Sequence, residues 1–362
     1  MSFFYQGLSG KERDILSGFD QVCFVCPTPF REGDIVWAPW YEDKRPFVFC
    51  NTWYEDMDEE RRKEFVNSRC NGSADMTAYG YFQADNGRIC RTGGKGMNTY
   101  VISDIHGCYE EFMAMLAKIG FSQADRLILA GDYVDRGKDS FRILKWLEQR
   151  PENVYAIRGN HDEEFAAAVE LMEGLDRELG LQSDLDSPKE GLALYESLRY
   201  YMRKKGLPGG YFDLYGTIHT LLERKGATLR DLYRWREMLW KMPLYYELKV
   251  KERVCVVVHG GYAENLEDIE GAGYSSLEEF YLQAREEAYL LGGKPHGMVV
   301  AGHTPTLIPG EFPYNEGWVF RYYNKEKDCV FYDIDCGCAY RRKDTWGRLA
   351  CIRLEDERIF YV

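Results

Sequence analysis

Five short apolar runs recur between residues 100 and 301, and each leads into a glycine flanked by aspartate, asparagine or histidine. The runs occupy residues 100–102, 127–130, 154–157, 254–258 and 298–301. Runs of this length, separated by segments with helical periodicity, are typical of parallel strands in βαβ units. Because the crossovers between such strands are almost always right-handed, the first three strands should end at one edge of a sheet. Open α/β folds bind ligands at that edge.

The stretch between the third and fourth of these strands has helical periodicity. Apolar residues at three- and four-residue spacing predict four helices, at residues 163–181, 189–205, 216–225 and 228–241. We interpret residues 163–242 as a helical insertion that caps or flanks the strand ends. Asp139 and Ser140 are suitable N-caps for an earlier helix through residue 149, and residues 276–291 predict one amphipathic helix with Arg285 in its middle.

The C-terminal part of the chain returns to a strand pattern. Residues 244–250 and 253–258 predict a hairpin, and residues 318–323, 329–334, 348–354 and 359–362 predict consecutive antiparallel strands. The fold class is therefore α/β, within one domain that covers residues 98–362.

Residues 1–97 differ from the rest, since aromatic and charged residues alternate there without helical period, apart from a helix candidate at 59–66. We predict a small, mostly-β N-terminal domain of unknown role, followed by a glycine-rich hinge at 93–96. Cys23 and Cys26 have the spacing of half a zinc site, but Cys50, Cys70 and Cys90 do not form a second close pair. Buried, reduced cysteines are the favoured interpretation.

Composition narrows the class of protein. The chain has 362 residues, 45% of them hydrophobic, and a formal net charge of −13. That charge argues against binding to nucleic acid polymers or anionic membranes, although a local basic pocket remains compatible with it. No stretch has the character of a secretory signal or a membrane span. Eleven cysteines, an odd number, favour reduced thiols and a cytoplasmic location.

The residues at the strand ends are of the types that bind metals. They are Asp104, His106, Asp132, Asn160, His161, His259 and His303. Mixed oxygen and nitrogen donors suit transition metals such as Mn, Fe or Zn better than Ca or Mg alone. A central aspartate can bridge two cations about 3.5–4 Å apart, which would polarise a bridging water to hydroxide near neutral pH. The neutral amide of Asn160 would leave such a site positive enough for a phosphate.

The order and form of these motifs resemble a known family. Asp104-x-His106-Gly, Gly131-Asp132-x-Val-Asp135-Arg136-Gly, Arg158-Gly-Asn160-His161-Asp162, His259-Gly-Gly and Gly302-His303-Thr are similar to the motif series of the phosphoprotein phosphatase family. That family belongs to the calcineurin-like metallophosphoesterases, and the likeness spans residues 99 to about 355. Its bacterial branch, which this chain most resembles, includes serine/threonine protein phosphatases and diadenosine tetraphosphate hydrolases. The resemblance implies a β-sandwich flanked by helices.

The resemblance also implies a role for each site residue. Asp104, His106 and Asp132 would hold one divalent transition metal, and Asp132 would bridge to a second one held by Asn160, His259 and His303. His161 would be the general acid, with Asp135 orienting it. Asn160 and Arg136 would contact the substrate phosphate, together with a second arginine for which Arg285 is the best candidate. Arg285 could instead be a helix-surface residue paired with a glutamate.

The expected reaction is in-line attack on phosphorus by a metal-bridging hydroxide, without a phosphoenzyme. We expect a phosphomonoesterase that acts on phosphoserine and phosphothreonine in proteins. A hydrolase of dinucleoside polyphosphates would have the same site with a base-binding cleft. A catalytically silent binding or scaffold protein, holding a partner through its N-terminal domain, is the alternative from another functional class.

Overall fold

The computed structural model describes residues 97–205, 212–341 and 346–362, and four short strands within residues 1–96. The chain divides into two units, Met1–Gly96 and Met97–Val362. In the first unit, β1 (Ile35–Trp37) pairs antiparallel with β2 (Val48–Cys50), and β3 (Phe82–Asp85) pairs antiparallel with β4 (Arg88–Arg91). The helix candidate at 59–66 and the side chains of the candidate zinc cysteines lie outside the described residues.

The second unit alternates strands and helices before it ends in four strands. Its strands are β5 (Thr99–Ile102), β6 (Arg126–Leu129), β7 (Val154–Ala156), β8 (Tyr245–Val250), β9 (Arg253–Val258), β10 (Met298–Ala301), β11 (Phe320–Asn324), β12 (Cys329–Asp333), β13 (Ala350–Arg353) and β14 (Arg358–Tyr361). Its helices are α1 (Tyr109–Ile119), α2 (Ser140–Glu148), α3 (Asn160–Leu179), α4 (Pro188–Lys204), α5 (Thr217–Arg224), α6 (Leu229–Trp240), α7 (Leu277–Gln283) and α8 (Glu287–Leu290). Among the described residues, no helix combines the length and apolar character needed to cross a bilayer.

These strands form two five-stranded mixed sheets. The first has the order β14-β13-β5-β6-β7, in which β5, β6 and β7 are parallel. The second has the order β11-β12-β10-β9-β8, in which β12, β10 and β9 are parallel and the two edge strands are antiparallel. Each sheet thus contains three adjacent parallel strands, and the predicted motifs follow the carboxyl ends of β5, β6, β7, β9 and β10.

Side-chain alternation along the central strands builds three cores. Val101 and Ile128 of the first sheet pack against Val257 and Val300 of the second, which makes a sandwich. The opposite face of the first sheet packs against α1 to α6, and that of the second sheet packs against α7 and α8. Because both faces are covered, the central strands are continuously apolar, as the sequence pattern indicated. The predicted α/β sandwich flanked by helices is confirmed.

The four predicted insertion helices are also present, as α3 to α6. Their apolar faces join the core on the outer side of the first sheet, where Leu194, Ile218 and Leu232 are buried. Thr228 caps α6 by accepting a hydrogen bond from the N–H of Asp231. The insertion is therefore packed onto the domain and contributes to its core.

Two element predictions are wrong in part. The single helix predicted at 276–291 is broken into α7 and α8, because Ala284 is extended at φ −66°, ψ 135°. The carbonyls of Phe280 and Tyr281 accept hydrogen bonds from the N–H groups of Gly261 and Gly260, which ends the helix. In addition, the last four strands are two hairpins in different sheets, β11-β12 in the second and β13-β14 in the first.

Candidate metal centre

The parallel strands of both sheets end at one buried polar cluster. Asp104 and His106 follow β5, Asp132 follows β6, and Asn160 and His161 begin α3 just after β7. His259 follows β9, and His303 follows β10. All seven side chains are buried, with Asp132 only 1% exposed and His259 fully covered. Burying so many polar groups is unfavourable unless they bind one another or a ligand.

Hydrogen bonds between the sheet ends fix these side chains together. The N–H of His303 donates to both carboxylate oxygens of Asp104, at 3.1 and 3.2 Å. The amide oxygen of Asn160 lies 2.9 Å from Nε2 of His259 and 3.0 Å from Nδ1 of His303. Residues that follow four strands are thus held within one cluster, as the sequence predicted that they should be close.

The backbone of the cluster is strained. Asp104, His106, Asp132 and His303 all have positive φ, between 44° and 70°. A residue with a side chain in this region costs roughly 1–3 kcal/mol, and such residues concentrate at functional sites. The strain turns each side chain inward directly after its strand, which an extended backbone would not do.

Asp132 lies at the centre of two groups of metal-type donors. One group is Asp132 with His106 and His161, and the other is Asp132 with Asp104 and His259; the donor atoms of each group lie within 4.8 Å of one another. Nε2 of His106 is 3.4 Å from Asp132 Oδ2, and Nε2 of His259 is 3.3 Å from Asp132 Oδ1. Asp132, the residue predicted to bridge two cations, belongs to both groups. The predicted division of the ligands between two cations stays a prediction.

The histidines are oriented as metal ligands usually are. Nδ1 of His106 lies 2.7 Å from the carbonyl oxygen of Val134, and Nδ1 of His259 lies 2.9 Å from that of Ala130. A carbonyl requires a proton on Nδ1, so in the neutral ring it is Nε2 that carries the lone pair for a cation. Nε2 of His303 is buried and has no hydrogen-bond partner within the described part of the chain. The residues therefore fit a pair of transition-metal cations.

Electrostatics around Asp132 favour positive charge. Burial opposes ionisation of Asp132, but the charges of His259 and His161 outweigh burial and hold its pKa well below the usual range. Burial likewise opposes protonation of His259, yet the carboxylate of Asp132 raises the pKa of His259 to about 10. The centre of the cluster thus stabilises a cationic group beside Asp132.

The other two histidines that are predicted metal ligands, His106 and His303, are kept neutral. Burial lowers the pKa of His106 to about 3, and burial together with the charge of His259 lowers the pKa of His303 well below its ordinary value. Neutral imidazole is the form that binds a metal. Both side chains are therefore ready to act as ligands at neutral pH.

Glycines allow the motifs to approach one another closely. A Cβ at Gly302 would overlap the carboxylate of Asp104, and a Cβ at Gly159 would overlap that of Asp132. These two positions tolerate no side chain while the cluster keeps its geometry. The glycines at these two positions are thus explained by the packing of the neighbouring motif.

His161 lies beside this centre and is hydrogen-bonded through Nδ1 to Asp135 Oδ2 at 2.7 Å. Burial lowers the pKa of His161, but the charges of Asp132 and Asp135 outweigh burial and the nearby Arg136, so the pKa is raised. The pair has the arrangement predicted for a general acid and its orienting carboxylate. Nε2 of His161 is also 3.9 Å from Asp132 Oδ2, so the ring faces the centre.

Arg136 reaches over the cluster with its guanidinium. Nη1 lies 2.9 Å from Nε2 of His106, and Nη2 lies 2.9 Å from Nε2 of His161. Its Nε is buried without a hydrogen-bond partner among the described residues. Since arginine only donates, both imidazole nitrogens accept in this arrangement. Its fork of donors is suited to a phosphate placed between the two histidines.

Arg285, the predicted second phosphate-binding arginine, has features of both predicted roles, phosphate binding and a helix-surface ion pair. Its Nη1 pairs with Glu311 Oε2 at 3.0 Å, and its side chain is 47% exposed. Its charge nevertheless contributes to lowering the pKa of His303, so it lies near the cluster. The role of Arg285 stays a prediction.

A comparison of two arginine variants tests that prediction. We expect Arg136→Ala to lower kcat/KM for a phosphate ester by about 100-fold, because charge-assisted, partly buried hydrogen bonds are worth roughly 1.5–3 kcal/mol each. We expect Arg285→Ala to raise KM by about fivefold and leave kcat unchanged, because its charge is exposed and already paired. Steady-state kinetics of both variants measure this. An unchanged KM in Arg285→Ala would assign Arg285 to the surface.

Asp162 belongs to the third sequence motif, but no role was predicted for it. Its buried carboxylate accepts hydrogen bonds from the N–H groups of Asp132, Tyr133 and Gly159, at 2.8 to 2.9 Å. Burial, followed by the charge of Asp132, raises its pKa to about 7. Asp162 thus ties the loop after β6 to the start of α3. The cue was its position as the fourth residue of Gly159-Asn160-His161-Asp162, where a helix N-terminus favours a carboxylate.

This gives a stability prediction. Asp162→Asn replaces one accepting oxygen by an NH2 group that faces backbone donors, so the free energy of unfolding should fall by about 2 kcal/mol. Glu237→Gln removes an exposed ion pair with Lys241, one helical turn away, and should cost less than about 1 kcal/mol. Denaturant unfolding of both variants measures the difference. Equal losses would show that the three backbone bonds to Asp162 contribute nothing specific.

Comparison with known proteins places the chain among phosphoesterases. The family model described as calcineurin-like phosphoesterase matches residues 97–307. A symmetrical bis(5'-nucleosyl)-tetraphosphatase from Nitrosospira multiformis is 36% identical over 293 residues, which are 73% of this chain and 95% of that protein. A relative with the same name from Buchnera aphidicola is 51% identical over 67 residues, and this chain spans 24% of its length. A solved protein serine/threonine phosphatase from Saccharomyces cerevisiae is similar at a TM-score of 0.40, with 15% identity over 74% of this chain and 79% of that one.

Proposed function

Because the chain belongs to the calcineurin-like phosphoesterase family, we propose that it hydrolyses phosphate esters at a dinuclear metal centre around Asp132. The motif series fits the phosphoprotein phosphatase group of that family. The observation that carries the proposal is the shared position of Asp132 between two groups of buried donors. One carboxylate between two donor groups is the arrangement that two-metal hydrolysis requires.

The cations would be held by the six predicted ligands, which are Asp104, His106, Asp132, Asn160, His259 and His303. When bound, two such cations neutralise phosphate oxygens and lower the pKa of a water to near neutrality. Manganese, iron and zinc all accept this mixed donor set.

The chain's own residues would then bind the phosphate and supply a proton. Arg136 would donate to the phosphate oxygens, and in doing so would leave Nε2 of His161. That nitrogen would then carry a proton and give it to the leaving oxygen, while Asp135 accepts from Nδ1–H and holds the ring. No covalent bond to the protein forms in this reaction.

A cationic cavity supports the approach of an anion to this site. It has a volume of about 140 Å³ and is lined by Arg136, Lys138, Lys225 and Tyr215 among others. Its lining includes three basic residues and no acidic one, although Lys225 pairs with Asp139 at 3.1 Å. In a chain with a net charge of −13, such a cavity is where a phosphate would be attracted.

Phosphoserine and phosphothreonine in proteins are the substrates that we expected from the motif series. Dinucleoside polyphosphates are a second candidate. They are favoured by the relative from Nitrosospira multiformis, which is named a tetraphosphatase and is matched over 95% of its length. One enzyme preparation, loaded with Mn, should be assayed on a phosphoserine peptide and on diadenosine tetraphosphate. A kcat/KM that is at least tenfold higher for one of them selects that class. No hydrolysis of either, and no bound transition metal, would show a catalytically silent protein.

A further inference from the structure

The helical insertion reaches the catalytic cluster through the segment at residues 213–217. Thr217, the first residue of α5, is buried at 8% exposure. Its hydroxyl donates to Asp135 Oδ1 at 2.5 Å, while the other oxygen of that carboxylate accepts from His161. Both oxygens of Asp135 are therefore held, one by the insertion and one by the imidazole.

The hydroxyl of Thr217 donates its hydrogen bond to Asp135 and not to a group of its own helix. A threonine at a helix start usually helps to bind the free N–H groups there. In α5 those groups are bound by Asp213, whose two oxygens accept from the N–H groups of Ile218 and His219, each at 3.2 Å. Tyr195 of α4 anchors the same carboxylate with its hydroxyl at 2.9 Å. The turn is thus fixed from within the insertion.

Tyr215, two residues before Thr217, lies against the imidazole of His161. Its ring centroid lies 5.2 Å from that of His161, and it is 44% exposed, so it stands at the mouth of the site. The guanidinium of Arg136 also lies over this ring, at 5.7 Å. The insertion therefore contacts His161 through Tyr215 and its carboxylate partner Asp135 through Thr217.

We propose that the insertion orients the proton donor of the reaction, with Thr217 as a positioning residue that fixes Asp135 and, through it, His161. A carboxylate held at one oxygen can rotate about its bond to Cβ. One held at both oxygens keeps the acceptor for Nδ1–H in place, and so keeps Nε2 directed at the leaving oxygen. This inference rests on the proposed function of His161.

The test uses the full chain with Thr217→Val, which removes the hydroxyl and keeps the branched shape, and Thr217→Ser, which keeps the hydroxyl. A proton donor matters most when the leaving group is poor. We expect Thr217→Val to lower kcat about tenfold on phosphoserine, an alkyl phosphate, and less than about twofold on p-nitrophenyl phosphate, with KM unchanged. Thr217→Ser should restore most of the kcat on phosphoserine.

Thr228→Val is the matched control for damage to the insertion. It removes the threonine hydroxyl that caps α6, away from Asp135. We expect it to lower the Tm by roughly 2–4 °C and to leave both kcat values unchanged. A kcat loss in Thr228→Val equal to that in Thr217→Val would show that insertion stability, and not the hydroxyl at Asp135, controls the rate.

A readout independent of activity is the Nδ1 proton of His161 in ¹H–¹⁵N NMR, assigned by its loss in His161→Asn. We expect a hydrogen-bonded resonance in the wild type and in Thr217→Ser, which shifts or broadens by exchange in Thr217→Val. An unchanged resonance with equal kcat loss on both substrates, or with no loss, would overturn the proposal. If the wild type hydrolyses neither substrate, the proposed function fails, and the resonance alone decides the role of Thr217.

Discussion

Replacing His161 by asparagine is expected to lower kcat for an alkyl phosphate by about 10²- to 10⁴-fold, while the protein keeps its bound transition metal. The reason is the position of His161 beside the centre, where Asp135 holds its Nδ1 at 2.7 Å and its Nε2 lies 3.9 Å from Asp132 Oδ2. Without a proton donor, the leaving alkoxide would depart with its full charge. A phenolate leaves more easily, so the loss on p-nitrophenyl phosphate should be at least tenfold smaller.

The competing role for His161 is that of a metal ligand, because its donor atom lies within 4.8 Å of those of His106 and Asp132. Elemental analysis of the purified His161→Asn variant separates the two roles. A general acid leaves metal content unchanged, whereas loss of a metal together with activity would make His161 a ligand. His219→Asn, a half-exposed histidine near Glu196 and Glu223 of the insertion, is the control for the loss of an imidazole and should change neither quantity.

Much of this architecture could be predicted because the central strands are buried on both faces. A strand with both faces covered is apolar throughout, as β5 and β10 are, and the polar residue that ends it stands out in the sequence. Parallel strands of one sheet end at the same edge, so the order of Asp104, Asp132 and Asn160 predicted their proximity. The cap at Asp139 was equally local and equally visible.

Features that depend on distant contacts were not visible in the sequence. The break at Ala284 is produced by Gly260 and Gly261, which take carbonyls of α7 from another part of the chain. The division of the last four strands between two sheets is a matter of long-range pairing, for which periodicity carries no signal.

The insertion shows the same limit. Periodicity predicted that α5 forms, but nothing local marks Thr217 as the partner of Asp135, 82 residues earlier. The residues near the start of this helix that reach the cluster are Tyr215 and Thr217. A hydroxyl at a helix start is ordinarily interpreted as a cap, which is the role that Asp213 has here.

Replacing Asp132 by asparagine is expected to have the largest effect of any single change. Asp132 is nearly isosteric with asparagine, but its carboxylate lies within 3.9 Å of three imidazole rings, and each of its oxygens faces a different group of donors. A neutral amide has one oxygen to offer and cannot bridge two cations. We expect bound metal to fall from about two equivalents to one or fewer, and kcat/KM to fall by more than about 10³-fold.

The control for this variant is Asp125→Asn, which makes the same change at another buried aspartate that accepts hydrogen bonds from Asn98 and Ser122 far from the cluster. It should lose some stability and retain both metal and rate. Elemental analysis and titration with Mn, compared between the two variants, separate loss of a bridging ligand from general destabilisation. Retention of two equivalents by Asp132→Asn would mean that the cations do not share this carboxylate, and the dinuclear arrangement around it would have to be abandoned.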